Sequence, residues 1–211
     1  MGGGKNATIL HYIANDQPLV DGELVLIDAG CELEGYASDV TRTFPIGGEF
    51  TGPGRAIYDV VLAAQNAALD ACRPGSNLPD IHDASVRAIV EGLVDLSLLS
   101  GDVEELIARE AHRTYYMHGT SHWLGLDVHD VGSYREGDEP RVLEPGLVYT
   151  IEPGIYVAPW QEDADERFRG IGIRIEDDVL ITESGHENLT AALPRAAEDI
   201  EELVQAGREA S

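Results

Sequence analysis

The sequence predicts an α+β fold in which helices pack on one face of a mainly antiparallel sheet. Apolar and polar residues alternate in the first and last thirds of the chain, which is typical of strands. Between these thirds, apolar residues recur at helical spacing. The order of strands, helices, strands and a final helix is that of an α+β domain.

The first elements are rich in β-forming residues, and strands are predicted at residues 9–12, 24–27 and 36–44. The segment Thr51-Gly-Pro-Gly54 interrupts the alternation, and a helix is predicted over 55–72. Pro74 and Gly75 are expected to end that helix, because neither residue favours its continuation.

Two more helices are predicted at 79–99 and 102–112, and Asp102 suits the positive amino end of the second one. The period then returns to two, which predicts strands at 121–128, 147–157 and 171–181. The chain ends in an acidic segment, for which a helix is predicted over 196–210. No linker separates these elements, so residues 1–211 are predicted to form one domain.

The charge balance restricts the partners of the chain. Among its 211 residues, 39 are acidic and 14 basic, which gives a net charge of −25. Such a surface repels phosphate backbones and anionic lipids and attracts cations. No apolar run approaches the ~20 residues that cross a bilayer. We therefore expect neither a nucleic-acid nor a membrane partner.

The cysteines predict a reducing compartment. Cys31 and Cys72 form no CxxC pair, so neither a disulfide framework nor a zinc ribbon is indicated. The amino-terminal residues include no apolar stretch of the kind found in a secretory signal. Together these observations predict a cytoplasmic protein.

Two aspartates flank a predicted hairpin in the first third. A turn near Leu33 and Glu34 would place Asp28 and Asp39 roughly opposite each other on paired strands. Like charges in this position are destabilising, and a divalent cation would neutralise them. If the register is different, both residues are solvated turn acids. The segment alone supports the two interpretations about equally.

A histidine cluster follows the third helix. His118, His122 and His129 lie within twelve residues, among glycine and β-branched residues that disfavour a helical zinc motif. Strand or loop geometry is therefore expected. The alternative is a set of surface histidines in a glycine-rich loop.

Two later strand-like segments each carry a glutamate. Glu152 precedes a Pro-Gly turn, and strand parity places Arg174 and Glu176 on one face, opposite Ile173 and its isoleucine neighbours. Each feature alone is compatible with an ordinary strand end or an amphipathic edge strand.

Together, the four segments supply four carboxylates and one imidazole. This hard donor set suits Mn²⁺ or Co²⁺ better than a thiolate-type zinc site. Five ligands are the number expected of two metals ~3.5–4 Å apart, as in dinuclear hydrolases.

Longer strings in the chain carry a family resemblance: LIDAG, GYASDVTRTFP, HGTSHWLGLDVHDVG, LEPGLVYTIEPGIYV and GIGIRIEDDVLITESGHENLT. They resemble those of aminopeptidase P, the Xaa-Pro aminopeptidase branch of the pita-bread metallopeptidases, from about residue 9 to residue 193. The resemblance implies a curved antiparallel sheet flanked by helices, and two divalent ions, most often Mn²⁺ with Co²⁺ or Zn²⁺ as alternatives. It also implies that the chain begins after the family's amino-terminal domain and after the first part of the catalytic domain.

The resemblance assigns metal ligands position by position. Asp28 would bind one metal and Asp39 would bridge both. His122 and Glu152 would bind the other metal, and Glu176 would be the second bridge. His122 enters this set through the resemblance, since spacing alone does not select one of the three histidines.

Further roles follow from the same resemblance. His118 and His129 would lie beside the scissile carbonyl, where either imidazole could stabilise an oxyanion, and Glu176 would pass a proton to the prolyl nitrogen. His11 would contact the proline, and Arg174 would hold neighbouring carboxylates. His11, His129 and Arg174 form the expected substrate-binding group.

The implied reaction removes the amino-terminal residue from peptides with proline in the second position. Two alternatives remain open. One is a proline dipeptidase, which shares the five ligands. The other is a non-catalytic peptide-binding module on the same fold, in which case the ligands record ancestry. Peptides are the expected partners, together with a homo-oligomeric assembly.

Overall fold

Strands, helices, strands and a final helix follow one another in the computed structural model, which describes residues 1–210. The helices are α1 (Gly52–Ala71), α2 (Leu78–Asp95), α3 (Val103–Ala108) and α4 (Ala197–Glu209). The strands are β1 (Gly2–Gly3), β2 (Leu24–Ala29), β3 (Glu32–Leu33), β4 (Tyr36–Ala37), β5 (Val40–Pro45), β6 (Arg135–Glu136), β7 (Glu139–Pro140), β8 (Val148–Ile151), β9 (Gly154–Tyr156), β10 (Gly172–Arg174), β11 (Asp177–Thr182) and β12 (Gly185–Asn188).

All strand pairs among residues 1–210 are antiparallel. One sheet has the order β1-β2-β5, a second has the order β12-β11-β8, and β9 pairs with β10. The sheet that contains β5 meets the sheet that contains β11 where the amide of Glu176, just before β11, donates to the Thr41 carbonyl on β5 at 3.0 Å. This architecture confirms the predicted α+β class.

Local capping explains where the long helices begin. The Thr51 hydroxyl accepts from the Gly54 amide at 3.4 Å, and the Asn77 side chain accepts from the Asp80 amide at 3.0 Å. Each bond satisfies one of the amide groups that a helix leaves free at its first turn. Both helices therefore begin close to the predicted positions.

The main core lies between the helices and the strands. Ile57 on α1, Ile89 on α2 and Ile173 on β10 are fully buried in one apolar cluster. Arg174 and Glu176 lie on the other face of their segment, as strand parity predicts. The helices thus support the apolar face of β10, and its polar face is free to contribute to a site.

The prediction of a strand at residues 9–12 is wrong. After a 3-10 helix at Gly4–Thr8, the Ile9 amide donates to the Asn6 carbonyl and the chain turns. Gly2–Gly3 occupies the position beside β2, where Gly2 pairs with Leu26. Residues 9–12 consequently have no strand partner within residues 1–210, and half of Ile9 is exposed.

The strand predicted at 36–44 is divided into β4 and β5. Ser38 and Asp39 lie between these two strands, although the Ser38 amide still donates to the Cys31 carbonyl in the register of the hairpin. The prediction for 121–128 is also wrong, because that segment forms only one isolated bridge, between Trp123 and Tyr149. β12 was not predicted, and the third helix ends at Ala108 before a short 3-10 turn.

The hairpin register differs slightly from the prediction. Its turn is formed by Glu34 and Gly35, both with positive φ, and the β2–β5 ladder pairs Asp28 with Thr41. Asp39 lies two residues before Thr41 and is therefore a diagonal neighbour of Asp28. The two aspartates were expected to lie roughly opposite each other, and the structure places them one diagonal step apart.

Within residues 1–210, no helix combines the length and the apolar character needed to cross a bilayer.

Candidate metal centre

The residues predicted as site residues from the sequence all line one cavity of about 260 Å³. They come from segments far apart in the chain. The lining also includes Leu10, Gly119 and Ser121, and the predicted residues in it are His11, Asp28, Asp39, His118, His122, His129, Glu152, Arg174 and Glu176.

Three of these residues form a compact group of donor atoms. One donor atom each from Asp39, His122 and Glu176 lies within 4.8 Å of the others. His122 Nε2 is 3.5 Å from Asp39 Oδ2, 3.6 Å from Glu152 Oε1 and 4.0 Å from Glu176 Oε1. Glu152 therefore also reaches the group, through its contact with His122.

β5 and the segment before β11 position two of the carboxylates. The Asp39 amide, just before β5, donates to the Asp178 carboxylate at 3.2 Å. The Thr41 hydroxyl donates to Glu176 Oε2 at 2.6 Å, and the Glu176 amide donates to the Thr41 carbonyl. Thr41 thus orients Glu176 so that Oε1 is the oxygen near His122.

The His122 imidazole is held in one tautomer. Its Nδ1 lies 3.0 Å from the Trp123 carbonyl, which can only accept a hydrogen bond, so Nδ1 carries the proton. In the neutral ring, Nε2 then has the lone pair, and it faces Asp39, Glu152 and Glu176. This is the protonation state that a metal-binding imidazole requires.

The His122 segment is anchored to β8 by main-chain bonds. The Thr150 amide donates to the His122 carbonyl at 3.0 Å, and the Glu152 amide donates to the Thr120 carbonyl at 2.8 Å. These two bonds fix the relative positions of His122 and Glu152, although the segment is not a regular strand.

Asp28 lies outside the compact group and contacts Arg174. Arg174 donates from Nη2 to Asp28 Oδ2 at 2.5 Å, from Nε to the Thr41 hydroxyl and from Nη1 to the Tyr156 hydroxyl. Burial raises the pKa of Asp28, and Arg174 opposes that effect. The structure therefore places Asp28 beside Asp39, with one Asp28 oxygen hydrogen-bonded to the Arg174 guanidinium.

The carboxylates destabilise one another's charged forms. Burial, reinforced by Asp39 and Asp28, raises the pKa of Glu152 to about 7, although His122 and Arg174 oppose it. Burial and then the charge of Glu152 raise the pKa of Glu176 well above its ordinary value. Carboxylates gathered in this way favour a cation between them. The oxygen-rich donors and the His122 tautomer therefore fit divalent ions.

The other predicted histidines have different surroundings. His118 donates from Nδ1 to the Gly119 carbonyl at 2.7 Å, so its Nε2 accepts from the Tyr156 hydroxyl at 2.9 Å. Burial lowers the pKa of His118 to about 4. The exposed His129 ring lies edge-on to His122, with 4.3 Å between the ring centroids. His11 is exposed at the cavity rim, in the turn after Thr8.

Sequence reasoning missed three residues around the centre. Thr41 and Tyr156 bond to Glu176, Arg174 and His118, and Asp178 receives the Asp39 amide. Thr41 shares the strand parity of Asp39, which was the one available signal. Tyr156 and Asp178 are recognisable only when distant segments are brought together.

Comparisons with known proteins show which family the chain resembles. The family model described as "Metallopeptidase family M24" matches residues 1–183. The chain is 55% identical to an Escherichia coli Xaa-Pro aminopeptidase, over 99% of this chain and 47% of that protein.

Two solved structures are similar over the same range. Aminopeptidase PepP of Pseudomonas aeruginosa is 54% identical with a TM-score of 0.97, and covers 99% of this chain and 47% of its own. Aminopeptidase P of E. coli with the inhibitor Pro-Leu is 56% identical with a TM-score of 0.95 and the same coverage. The chain thus has the pita-bread fold of these enzymes and spans about half the length of the curated relatives that it matches.

Proposed function

The chain belongs to metallopeptidase family M24, and we propose that it is a metallo-aminopeptidase that removes the residue preceding proline at the amino terminus of peptides. The observation that carries the proposal is the compact group of Asp39, His122 and Glu176 inside one cavity. The similarity to Xaa-Pro aminopeptidases over nearly the whole chain supports the substrate class.

Five residues would hold the metal. Asp28, Asp39, His122, Glu152 and Glu176 would supply the ligand atoms, with Asp39 and Glu176 shared between two ions. When bound, divalent ions polarise a peptide carbonyl and make hydroxide available near neutral pH. Thr41 and the Trp123 carbonyl would keep Glu176 and His122 in the required orientations, because each already bonds the atom that faces away from the group.

The surrounding histidines would act on the substrate in different ways. His118 Nε2 is occupied by the Tyr156 hydroxyl, whereas His129 has no hydrogen-bond partner among residues 1–210. His129 is therefore the imidazole placed to donate to an oxyanion. His118 would act together with Tyr156, and His11 and Arg174 border the space for the proline and the residue after it.

Glu176 would transfer a proton in addition to binding metal. Its Oε2 accepts from Thr41, so Oε1 would be the oxygen that passes a proton to the prolyl nitrogen. The prolyl nitrogen must gain a proton to leave as an amine when its bond to the carbonyl carbon breaks, and the attacking water is the source of that proton.

The test is peptide cleavage by the purified chain with added Mn²⁺. We expect release of free alanine from Ala-Pro-Ala, little release from Ala-Ala-Ala, and none from the dipeptide Ala-Pro. Asp39→Asn should lower kcat/KM by more than about 100-fold, beyond the ~10–100-fold cost of losing a supporting group. Asp70→Asn, an exposed change on α1, is the matched control and should leave kcat/KM unchanged.

Other outcomes would identify the alternatives. Cleavage of Ala-Pro in preference to Ala-Pro-Ala would point to the dipeptidase. A folded chain that binds Ala-Pro-Ala equally well before and after Asp39→Asn, with no turnover, would overturn the enzymatic proposal in favour of a binding module.

Three finer assignments belong to the same proposal. The number of ions is proposed as two and their identity as Mn²⁺, on the basis of the donor set. A cytoplasmic location accords with Cys31 and Cys72, which are both free. A homo-oligomer is proposed from the resemblance alone. Elemental analysis and sedimentation of the purified chain test the first and third assignments.

A further inference from the structure

A hydrogen-bonded cluster outside the cavity links α2 to the segment that carries His118 and His122. His82, on α2, has its Nδ1 2.8 Å from the Thr120 hydroxyl oxygen. The same oxygen lies 2.5 Å from the Tyr116 hydroxyl. Thr120 and Tyr116 are buried and His82 is half-buried, so this three-residue cluster, His82–Thr120–Tyr116, has its two hydroxyl groups shielded from water.

Thr120 faces the candidate metal centre with its main chain. Its carbonyl accepts from the Glu152 amide at 2.8 Å, and two residues later the His122 carbonyl accepts from the Thr150 amide. Thr120 therefore bonds α2 through its side chain and the Glu152 segment through its backbone. A shift of Thr120 changes the position of Glu152 relative to His122.

The cluster also limits the position of His118. The Tyr116 ring packs edge-on against the His118 ring, with 5.0 Å between centroids, and it lies 5.7 Å from the His82 ring. Tyr116 is held by its hydroxyl bond to Thr120. The same cluster thus braces the segment on both sides of Gly119.

We propose that His82 is a positioning residue for the metal centre, which it acts on through the Thr120 hydroxyl. This inference rests on the proposed function, because it concerns the same donor group. Without His82, the buried Thr120 hydroxyl keeps Tyr116 but loses one of its two hydrogen bonds. That loss carries a desolvation cost, and the segment relieves the cost by moving. Groups that orient metal ligands typically change metal affinity by ~10–100-fold when they are removed.

The first readout is amide hydrogen exchange of the chain without added metal. We expect the Glu152 amide to exchange at least tenfold faster in His82→Phe and in Thr120→Val, relative to the Ile181 amide. The Ile181 amide, which donates to the Leu147 carbonyl, reports changes in overall stability. His82→Asn and Thr120→Ser keep a polar atom at each position and should restore the parental ratio.

The second readout is Co²⁺ binding, followed through the visible absorption spectrum. His82→Phe and Thr120→Val should each weaken Co²⁺ binding about tenfold and change the bands, whereas the Asn and Ser variants should retain both. The double variant should bind no more weakly than Thr120→Val alone, because Thr120→Val already removes the bond to His82. His186→Phe is the matched control, since its half-buried imidazole bonds the Cys72 carbonyl instead.

Each outcome decides the proposal. An unchanged exchange ratio for Glu152 in His82→Phe and Thr120→Val overturns it, as does unchanged Co²⁺ binding by both variants. If His82→Phe does not fold, Thr120→Val tests the same bond from the other side. A parental chain that binds no Co²⁺ contradicts the proposed function, and the exchange ratio then decides the positioning role by itself.

Discussion

At the scale of single residues, Gly30 permits the close approach of the two segments that carry Asp28 and Asp39. A Cβ atom at this position would lie 1.8 Å from the Ser38 carbonyl oxygen, which is part of the backbone. The backbone cannot rotate away as a flexible side chain can. The hairpin geometry beside the candidate metal centre therefore requires glycine at position 30.

Replacing this glycine gives the first prediction. Gly30→Ala should lower the free energy of unfolding by about 1–3 kcal/mol, the usual cost of overpacking, and should weaken Mn²⁺ binding because Asp39 follows Ser38 directly. Gly185→Ala is the control, since no atom lies within 4 Å of its added Cβ. Urea unfolding of the two variants measures the difference, and equal stability would show that the hairpin adapts to a side chain.

At the scale of elements, one buried carboxylate ties several segments to β11. Asp177 is fully buried and accepts from Arg42 on β5 at 2.7 Å and from Thr190 at 2.7 Å. It also accepts from Gln65 on α1 at 3.1 Å and from Asn188 on β12 at 2.9 Å. Its neighbour Glu176 is thereby held at the junction of the two sheets.

The second prediction follows from this network. Asp177→Ala should destabilise the fold by about 3–5 kcal/mol, because it leaves the buried Arg42 guanidinium without its carboxylate. Glu104→Ala, which breaks the exposed pair with Arg87, should cost much less, because solvent screens that pair. Urea unfolding compares the two. A similar cost for both variants would mean that the remaining acceptors around Arg42 suffice.

A half-buried histidine, His82, and a buried one, His112, join α2 to the 3-10 turn at Ala111–Thr114. The rings of His82 and His112 lie 6.3 Å apart, and burial lowers the pKa of both imidazoles. Arg113 opposes their protonation as well, whereas Asp83 and Glu110 favour it. Both histidines are therefore neutral in the fold at neutral pH.

The third prediction concerns pH. In the folded chain, the pKa values of His82 and His112 lie below the ordinary 6.5. At a pH between 6.5 and the lowered values, the unfolded chain therefore binds more protons than the folded chain. The free energy of unfolding should fall as the pH drops through that range. One proton contributes at most ~1.4 kcal/mol per pH unit. Replacing both histidines with asparagine should flatten the dependence, measured by urea unfolding from pH 5 to 7. An unchanged slope would assign the dependence to other groups.

At the scale of the whole molecule, negative charge dominates the surface. The net charge is −25, and Lys5 is the one lysine among the 14 basic residues of the sequence. Many of the arginines bond specific partners, as Arg42 and Arg174 do, and therefore do not neutralise the outer surface. Mutual repulsion of the acidic residues opposes the compact state.

The fourth prediction is that salt stabilises the fold. Raising NaCl from ~0.1 M to ~1 M shortens the Debye length from ~10 Å to ~3 Å and screens the repulsion, so Tm should rise. The variant Glu105→Gln with Glu183→Gln removes two exposed charges and should show a smaller rise. Thermal unfolding at each concentration measures both. A Tm that falls with salt would indicate that ion pairs outweigh the repulsion.

Much of the fold was predictable because its signals are local. The bounds of α1 and α2 follow from apolar spacing and from caps such as Thr51 and Asn77, which lie within three residues of their partners. The segments at 9–12 and 121–128 have strand-forming residues but no complete ladder. Strand formation depends on a partner, which a local pattern does not specify.

The residue types of the candidate site were also evident in the sequence, because a hard metal selects carboxylates and imidazole whatever the fold around them. Their arrangement was decided by the tertiary structure. Thr41 and Glu176 are 135 residues apart, His118 and Tyr156 are 38 apart, and His82 and Thr120 are also 38 apart. Hydrogen bonds over such separations exist only after the sheets and helices have packed. The sequence by itself therefore determined which donors the protein has, and packing determined which of them meet.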